Sequence, residues 1–319
     1  MIMENLKKIF EEDIQFKDNL LIIENQSVFE NQQQTNEAFS EKWLKYDTNK
    51  TIKGIESFQQ RWYLDLYGFE SEDTLQSFLQ TKPLILDAGC GLGYKAAWFA
   101  QLAPESTIIG IDFSDAAIEA SYYYKDLKNL FFIKGDIANT RIQSESIDYV
   151  SCDQVIHHTE NPEQTFAHLS SILKSSGQFA CYVYAKKSLP RELIDEYFRT
   201  YSKKLTKDQL WKLSEQLTQL GKTLSDLNIK INVPDIPALD IKGGEYDIQR
   251  FIYWNFIKCF WNEEFGWDNS VSTNFDWYAP SNAQRYTEEE FKKWSYNNNL
   301  SIEYFHKEEA CYSGRFIKE

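Results

Sequence analysis

No stretch of this sequence is apolar over the length needed to cross a bilayer, and its opening, MIMENLKKIFEED, lacks the apolar segment of a secretory leader. The expected address is the cytoplasm, with no membrane partner. Cations are scarce: 34 Lys and Arg stand against 48 Asp and Glu, a formal charge of −14. That balance opposes long-range attraction to nucleic acid or to an anionic membrane face, since both need clustered positive charge. The short basic pairs Lys7-Lys8, Lys186-Lys187 and Lys203-Lys204 read as solvated helix faces or ends. Cysteines are few and scattered, at Cys90, Cys152, Cys181, Cys259 and Cys311, with no C-x-x-C pair. Neither a disulfide framework nor a thiolate zinc site is expected, and the thiols should be reduced and mostly buried. The adjacent His157 and His158 have no third ligand at a suggestive spacing, so no metal is expected. There is no internal repeat or low-complexity tract.

What is present is enough for a large core: 42% of residues are hydrophobic and 16% aromatic, the composition from which small-molecule pockets are lined. Residues 1–82 read as an N-terminal arm followed by covering helices. The arm holds one apolar run, Leu20–Ile23, and Phe39, Trp43 and Tyr46 at near-helical spacing. From Pro83 short apolar runs alternate with helical patterns, which predicts β-α units and a largely parallel sheet. The expected strands are 84–87, 107–112, 130–134, 147–152 and 179–184, with helices near 93–103, 115–127 and 162–174. Asn161-Pro162 suits the last of these, an acceptor for free amides followed by a residue at home in the first helical position.

After Tyr184 the alternation stops. Leu193, Ile194, Phe198 and Tyr201, then Leu210, Leu213, Leu217 and Leu220, recur at helical spacing, with Thr206 to Gln209 as a capping box and Gly221 as a helix stop. A second, aromatic-rich helix is expected over about 247–265. The cluster of Trp254, Phe256, Phe260, Trp261 and Trp267 in and just after it reads as packing rather than as a stacking site. Residues 186–280 thus form a helical cap or lid inserted after the fifth strand. Residues 281–319 return to the core as a helix capped at Thr287 and Glu290 and an antiparallel hairpin over 300–306 and 310–317.

The chemistry centres on Asp87-Ala-Gly-Cys-Gly-Leu-Gly93, a turn that follows a buried strand and opens a helix. Glycines let the backbone turn tightly and approach whatever lies in the crevice, and the amides there suit an anionic group. Asp112 closes the next strand about 20 residues on, where a carboxylate can bond ribose hydroxyls. Gly135-Asp136-Ile137 follows the third strand and places a carboxylate and an apolar side chain where an adenine could be held. A dinucleotide would use similar parts, but the spacing is G-x-G-x-G rather than G-x-G-x-x-G.

Together LILDAGCGLGYKAAWFA, IIGIDFSDAAIEAS, FFIKGDI and DYVSCDQVIHHTENPEQTFAHLSSILKSSGQF, covering roughly residues 83–185, resemble the successive motifs of class I S-adenosylmethionine (SAM)-dependent methyltransferases. His157-His158-Thr159 and Phe275-Asp-Trp-Tyr-Ala-Pro280 further resemble a subgroup carrying a His-His-Thr motif and a late FDWY-P motif. Ser175-Ser176-Gly177 departs from the usual Pro-Gly-Gly turn. The resemblance implies a Rossmann-like α/β fold with SAM as cofactor. It implies that Asp87, Gly89 and Gly91 surround the methionine part, Asp112 binds the ribose, Phe113 touches the adenine and Asp136 and Ile137 fix its edge. Gln154 would face the sulfonium region.

Methyl transfer is a displacement at an already activated carbon, so the protein supplies alignment, desolvation and, for a protonated nucleophile, a base. His157 or His158 could be that base, or could simply hold the loop through backbone hydrogen bonds; Tyr184 could line the acceptor pocket or pack. Asp276, Trp277, Tyr278, Arg285 and Tyr286 read as a mixed loop before the closing helix, suited to an acceptor-pocket wall. The leading expectation is transfer to oxygen or nitrogen of a small molecule such as a sugar or natural-product intermediate. Two others stay open: cyclisation of SAM's own aminobutyrate chain with release of methylthioadenosine, and a silent SAM-binding or partner-binding subunit. The sequence sets no oligomeric state.

Overall fold

The computed structural model describes residues 6–12, 14–24, 29–45 and 48–319; Tyr46 lies outside the described residues. The chain divides into two compact units, Met1–Ala185 with Gln284–Glu319, and Lys186–Ala283.

The first unit is a twisted sheet with helices on both faces. Its elements run β1 (Leu20–Ile22), α1 (Glu30–Lys45), α2 (Thr48–Tyr67), α3 (Glu72–Leu79), β2 (Leu84–Ala88), α4 (Tyr94–Leu102) and β3 (Thr107–Asp112). They continue α5 (Ala116–Tyr123), β4 (Leu130–Lys134), β5 (Ile147–Cys152), α6 (Pro162–Ser171) and β6 (Leu173–Ala185). The strand order is β1-β4-β3-β2-β5-β6-β11-β10, where β10 (Leu300–Lys307) and β11 (Cys311–Lys318) are the closing antiparallel hairpin. This is the expected Rossmann-like arrangement. Alternate residues of each strand feed opposite faces. Ile85, Ile108 and Tyr149 pack with Leu66, Leu75 and Phe99 on one side, while Leu86, Ile109 and Val150 pack with Phe166, Phe291 and Trp294 on the other. Each large side chain so buried contributes roughly 1.5–3 kcal/mol. The chain moves outward from β2 through β3 to β4, then returns across β2 to β5. The reversal leaves a crevice at the carboxyl ends of β2 and β5, where open α/β sheets bind ligands.

Two local readings change. The apolar run of the N-terminal arm is a strand: Leu20, Leu21 and Ile22 pair in parallel with Phe132, Ile133 and Lys134 at the sheet edge. The helix expected to reach 174 stops at Ser171, and β6 begins at Leu173 instead of 179. The Ser175–Gly177 turn is a bulge inside that strand, because Ile147 pairs with Leu173 while Tyr149 pairs with Gln178. Ser176 takes a left-handed φ of 63° to absorb the extra residues.

The second unit holds α7 (Leu189–Ser202), α8 (Lys207–Asp226), β7 (Lys230–Val233), β8 (Gly244–Asp247), α9 (Ile248–Asn255) and α10 (Gly266–Tyr278). The Thr206 capping box forms as read, with Gln209 N donating to Thr206 Oγ1. Five expectations fail here, the last of them at Gly221. A β7–β8 hairpin interrupts what the sequence presented as all helix. The helix expected over 247–265 ends at Asn255, and a separate helix starts at Gly266. Of the five clustered aromatics read as core, Trp254, Phe256, Phe260 and Trp261 are only half-buried and Trp267 is exposed; the buried ones in this unit include Tyr253, Trp211, Phe275, Trp277 and Tyr278. Asp276, Trp277 and Tyr278 are the last turn of α10 rather than a loop, since nothing breaks a helix before Pro280.

Gly221 does not stop α8, which runs on to Asp226. A Cβ at this position would lie 2.2 Å from the Cys259 carbonyl oxygen, so the glycine permits two backbones to touch. Gly221→Ala is therefore expected to cost about 1–3 kcal/mol in denaturant unfolding by overpacking. A gain near 1 kcal/mol, as at an unconstrained helical glycine, would refute the close approach.

Candidate active site

The Asp87–Gly93 turn joins β2 to α4 and owes its shape to its glycines. Gly89, Gly91 and Gly93 all have left-handed φ, of 82°, 51° and 78°. At Gly89 space forbids a side chain as well, because a Cβ there would stand 2.4 Å from both methyls of Val155. Gly89 N and Cys90 N donate to the Ile111 carbonyl, at 2.7 and 3.0 Å, which ties the turn to β3.

Asp112, at the end of β3, organises the next layer. Its Oδ2 accepts from Gly91 N at 2.8 Å, and its Oδ1 accepts from Ser114 N at 2.8 Å and Ser114 Oγ at 2.6 Å. Burial raises its carboxyl above the usual range, and the Ser114 and Gly91 bonds oppose the shift. Asp136 is raised by burial in the same way while its Oδ1 accepts from Ala138 N at 2.8 Å; Ile137 beside it is buried. Phe113 is half-buried next to Asp112.

Asp87 is fully buried, and neither of its oxygens accepts a hydrogen bond among the described residues beyond an ion pair of 3.1 Å with Lys95. Lys95 also reaches Asp153 at 3.6 Å, and Tyr67 donates to Asp153 Oδ1 at 2.8 Å. Burial pushes Asp87 up to about 6 although Lys95 pulls it down; Asp153 and Asp112 add to the rise. Burial opposes the Lys95 charge, but Asp87 and Asp153 outweigh it and hold the ammonium above its ordinary range. One lysine thus pins the carboxyl ends of β2 and β5 from the first turn of α4. Sequence reasoning missed Lys95, Asp153 and Tyr67.

The loop after β5 starts with Gln154 in a left-handed conformation, φ 60°, its amide within 3.4 Å of Gln59 and 3.3 Å of Asp153. Val155 then packs on Gly89, and Ile156–His158 form a 3-10 turn. The His157 ring lies 3.7 Å from the Tyr184 ring between centroids and has no exposed surface. His158 meets Phe39 edge-on at 4.8 Å. Gln284 N donates to the His157 carbonyl at 3.0 Å, so the backbone here is also held. From α1, Trp43 lies over the turn, 3.2 Å from where a Gly91 Cβ would be. The first unit thus brings together Asp87, Gly89, Gly91, Asp112, Gln154, His157, His158 and Tyr184 along the ends of β2, β3, β5 and β6.

Of the five expected acceptor residues, Arg285 lies in β9 (Arg285–Tyr286) and pairs with Tyr184 in register. Tyr286 packs on Trp294 and donates to Gln284 Oε1 at 2.9 Å. Asp276, Trp277 and Tyr278 belong to the second unit. There Trp277 Nε1 donates to Asp195 Oδ2 at 2.9 Å, and Tyr278 donates to Asp195 Oδ1 at 3.0 Å. Arg191 completes the group through Asp195 Oδ2 at 2.7 Å and the Tyr253 carbonyl. Lys258, also missed from sequence, sits with its amine 4.4 Å from the Trp277 ring centroid. Burial and then Arg191 push it down to about 7, against Asp276 and Asp195. All five cysteines are buried and free, and no cluster suited to a metal occurs among the described residues.

Residues 81–231 match a family model described as a methyltransferase domain. Over 108 residues the chain is 30% identical to a sterol 24-C-methyltransferase of Saccharomyces cerevisiae, covering 33% of this chain and 28% of that protein. Over 113 residues it is 32% identical to a trans-aconitate 2-methyltransferase of Deinococcus radiodurans, covering 35% of this chain and 42% of that one. The chain therefore spans less than half the length of either relative. A magnesium protoporphyrin IX methyltransferase from Synechocystis PCC 6803, solved with bound SAM, superposes with a TM-score of 0.48 at 13% identity, over 92% of this chain and 100% of that one.

Proposed function

We propose that this protein is a SAM-dependent methyltransferase acting on oxygen or nitrogen of a small molecule, a sugar or natural-product intermediate being the leading class. The observation that carries the reading is the β2–α4 turn: three left-handed glycines beside a fully buried carboxylate, Asp87, whose Oδ1 meets Lys95 at 3.1 Å while its Oδ2 accepts no hydrogen bond among the described residues. A buried polar atom without a partner is costly, so a site that leaves one is built for a ligand's donor. The ammonium of an amino acid is such a donor. Asp87, Gly89 and Gly91 would hold the methionine part, Asp112 the ribose, Phe113, Asp136 and Ile137 the adenine, and Gln154 the side toward the sulfonium. When bound, SAM supplies an activated methyl group.

The chain's own residues then align the acceptor, exclude water and take a proton. Of the two histidines we assign the proton to His158, since His157 is enclosed against Tyr184 and has no exposed surface. Arg285, whose backbone pairs with Tyr184 in register, is the residue of the first unit we assign to the acceptor side.

Calorimetric titration tests the cofactor. Wild type should bind SAM and S-adenosylhomocysteine at micromolar levels, and Asp112→Ala should weaken both about tenfold or more, as expected for a lost charge-assisted hydrogen bond. Absence of binding in wild type would remove the reading. Mass spectrometry after incubation with SAM alone tests the reaction: intact SAM directs the search to acceptors, whereas methylthioadenosine with a cyclic amino acid replaces transfer by self-cyclisation.

A further inference from the structure

Between β4 and β5 the chain makes the turn that carries Asp136 and Ile137, and its first backbone donors are satisfied close at hand. Gly135 N donates to the Asp112 carbonyl at 2.9 Å, Ala138 N to Asp136 Oδ1 at 2.8 Å and Asn139 N to the Asp136 carbonyl at 3.0 Å. Thr140 differs. It has no exposed surface, and its N–H donates at 3.1 Å to Nε2 of His168, a side chain in the last turn of α6. The Thr140 hydroxyl stands 3.0 Å from the same ring nitrogen and accepts from Ile142 N at 3.2 Å. Beyond it the N-terminal arm takes over: Glu11 N donates to the Arg141 carbonyl at 3.0 Å and Gln143 N to the Ile9 carbonyl at 2.7 Å. His168 is thus the tie from α6 to the stretch that holds Asp136.

A backbone N–H can only donate, so this bond fixes the state of the ring: Nε2 is bare, the proton is on Nδ1 and the imidazole is neutral. Protonation would set a second donor against the Thr140 N–H, and an amide buried so completely has no water to turn to, which makes the loss of its acceptor costly. Burial accordingly holds the ring below its ordinary range, while Glu11 of the arm pulls it up. Arg141 of the turn pairs with Glu12 at 3.6 Å, Asp136 is bonded to Ala138 N, and Gln164, Thr165 and Ser171, the neighbours of His168 along α6, carry no charge. The bond is therefore complete above the unfolded value, about pH 6.5, and is lost as pH falls through the lower folded one. Asn139 N links back to Asp136 from the residue just before Thr140, so freeing Thr140 loosens Asp136.

We propose that His168 is a positioning residue for the cofactor: neutral, it ties down the turn that offers Asp136 and Ile137 to the adenine; protonated, it releases that turn and weakens the hold on SAM. The consequence for SAM rests on the adenine assignment proposed above, whereas the tie itself does not. Carboxylates of the site also titrate on the acid side, so the share of His168 is the part missing from a variant whose side chain accepts but does not titrate. Glutamine is that side chain, since its amide oxygen can stand in for Nε2.

Titration of the full chain with SAM at about pH 7.5 and about pH 5.5, on either side of the histidine range, tests it. Over that interval wild type should lose about fivefold more affinity than His168→Gln, the worth of one hydrogen bond. At the higher pH His168→Gln should match wild type, while His168→Ala, with no acceptor, should bind about fivefold more weakly. Amide exchange at Thr140, followed by NMR and corrected for the intrinsic rate, reads the tie without SAM: protection should drop in acid for wild type and hold for His168→Gln. Equal acid losses of affinity in wild type and His168→Gln, or a Thr140 amide equally protected at both pH values in wild type, would overturn the proposal. A wild type that binds no SAM yet loses Thr140 protection in acid would confirm the tie and refute the cofactor reading instead.

Discussion

Lys95→Met should destabilise the first unit by about 3–5 kcal/mol, the range for removing one partner of a buried ion pair, and the loss should depend on pH. Methionine keeps most of the volume but cannot neutralise Asp87 and Asp153, which are 0% and 8% exposed. Already in the wild type burial holds Asp87 at about 6, above an ordinary aspartate, with Lys95 opposing the rise; without Lys95 it should go higher. An acid raised on folding favours the folded state in its protonated form. That stabilisation is complete below the unfolded value, near pH 4, and is lost as pH rises through the folded one. The variant's deficit should therefore be small at pH 5 and large at pH 8. Denaturant unfolding at both pH values reads the difference directly, and equal deficits would refute the electrostatic account. The same variant should bind SAM only weakly at pH 7, because a protonated Asp87 cannot serve an ammonium, and Lys95→Arg should recover part of both losses.

Asp195→Ala should lower the stability of the second unit by a similar 3–5 kcal/mol. One carboxylate there satisfies Arg191 Nε, Trp277 Nε1 and the Tyr278 hydroxyl, and Asp195 has no exposed surface. Removing it strands a buried guanidinium and two aromatic donors, each of which carries its own desolvation cost. Asp195→Asn, which keeps an acceptor but not the charge, should be milder. Thermal unfolding combined with hydrogen exchange over residues 186–283 would locate the loss, and a loss spread evenly over the sheet would contradict the assignment.

These two clusters mark where sequence reasoning succeeded and where it stopped. The five core strands, the glycine turn and the carboxylate at the end of β3 were legible because each is local: a buried run, a left-handed turn and a carboxylate at the next strand end follow from patterns a few residues long. Lys95 was not read, yet a signal existed. Helix α4, YKAAWFAQL, is apolar on nearly every face, so it had to be buried, and a lysine within it had to meet a carboxylate. Helix α7 shows a harder limit. Arg191, Asp195 and Arg199 recur with the same spacing as Leu189, Leu193 and Tyr197, so periodicity defined two faces without deciding which was inward. Tyr253, Trp277 and Tyr278, some 60 to 80 residues away, decided it. Gly221 misled for a related reason: its meaning lay in Cys259 of a distant segment rather than in its own helix.

The pairing of Tyr184 with Arg285 and of Ala185 with Tyr286 has a consequence for how such a chain can change over evolutionary time. The chain leaves the sheet and re-enters it at neighbouring residues, so the excursion between them is a closed loop fixed at its base. Doubling the length of such a loop adds only about 0.6 kcal/mol of closure entropy, and no strand register elsewhere need shift. The whole of residues 186–283 can therefore be lengthened, trimmed or exchanged as a cassette while the glycine turn and its carboxylates are inherited unaltered.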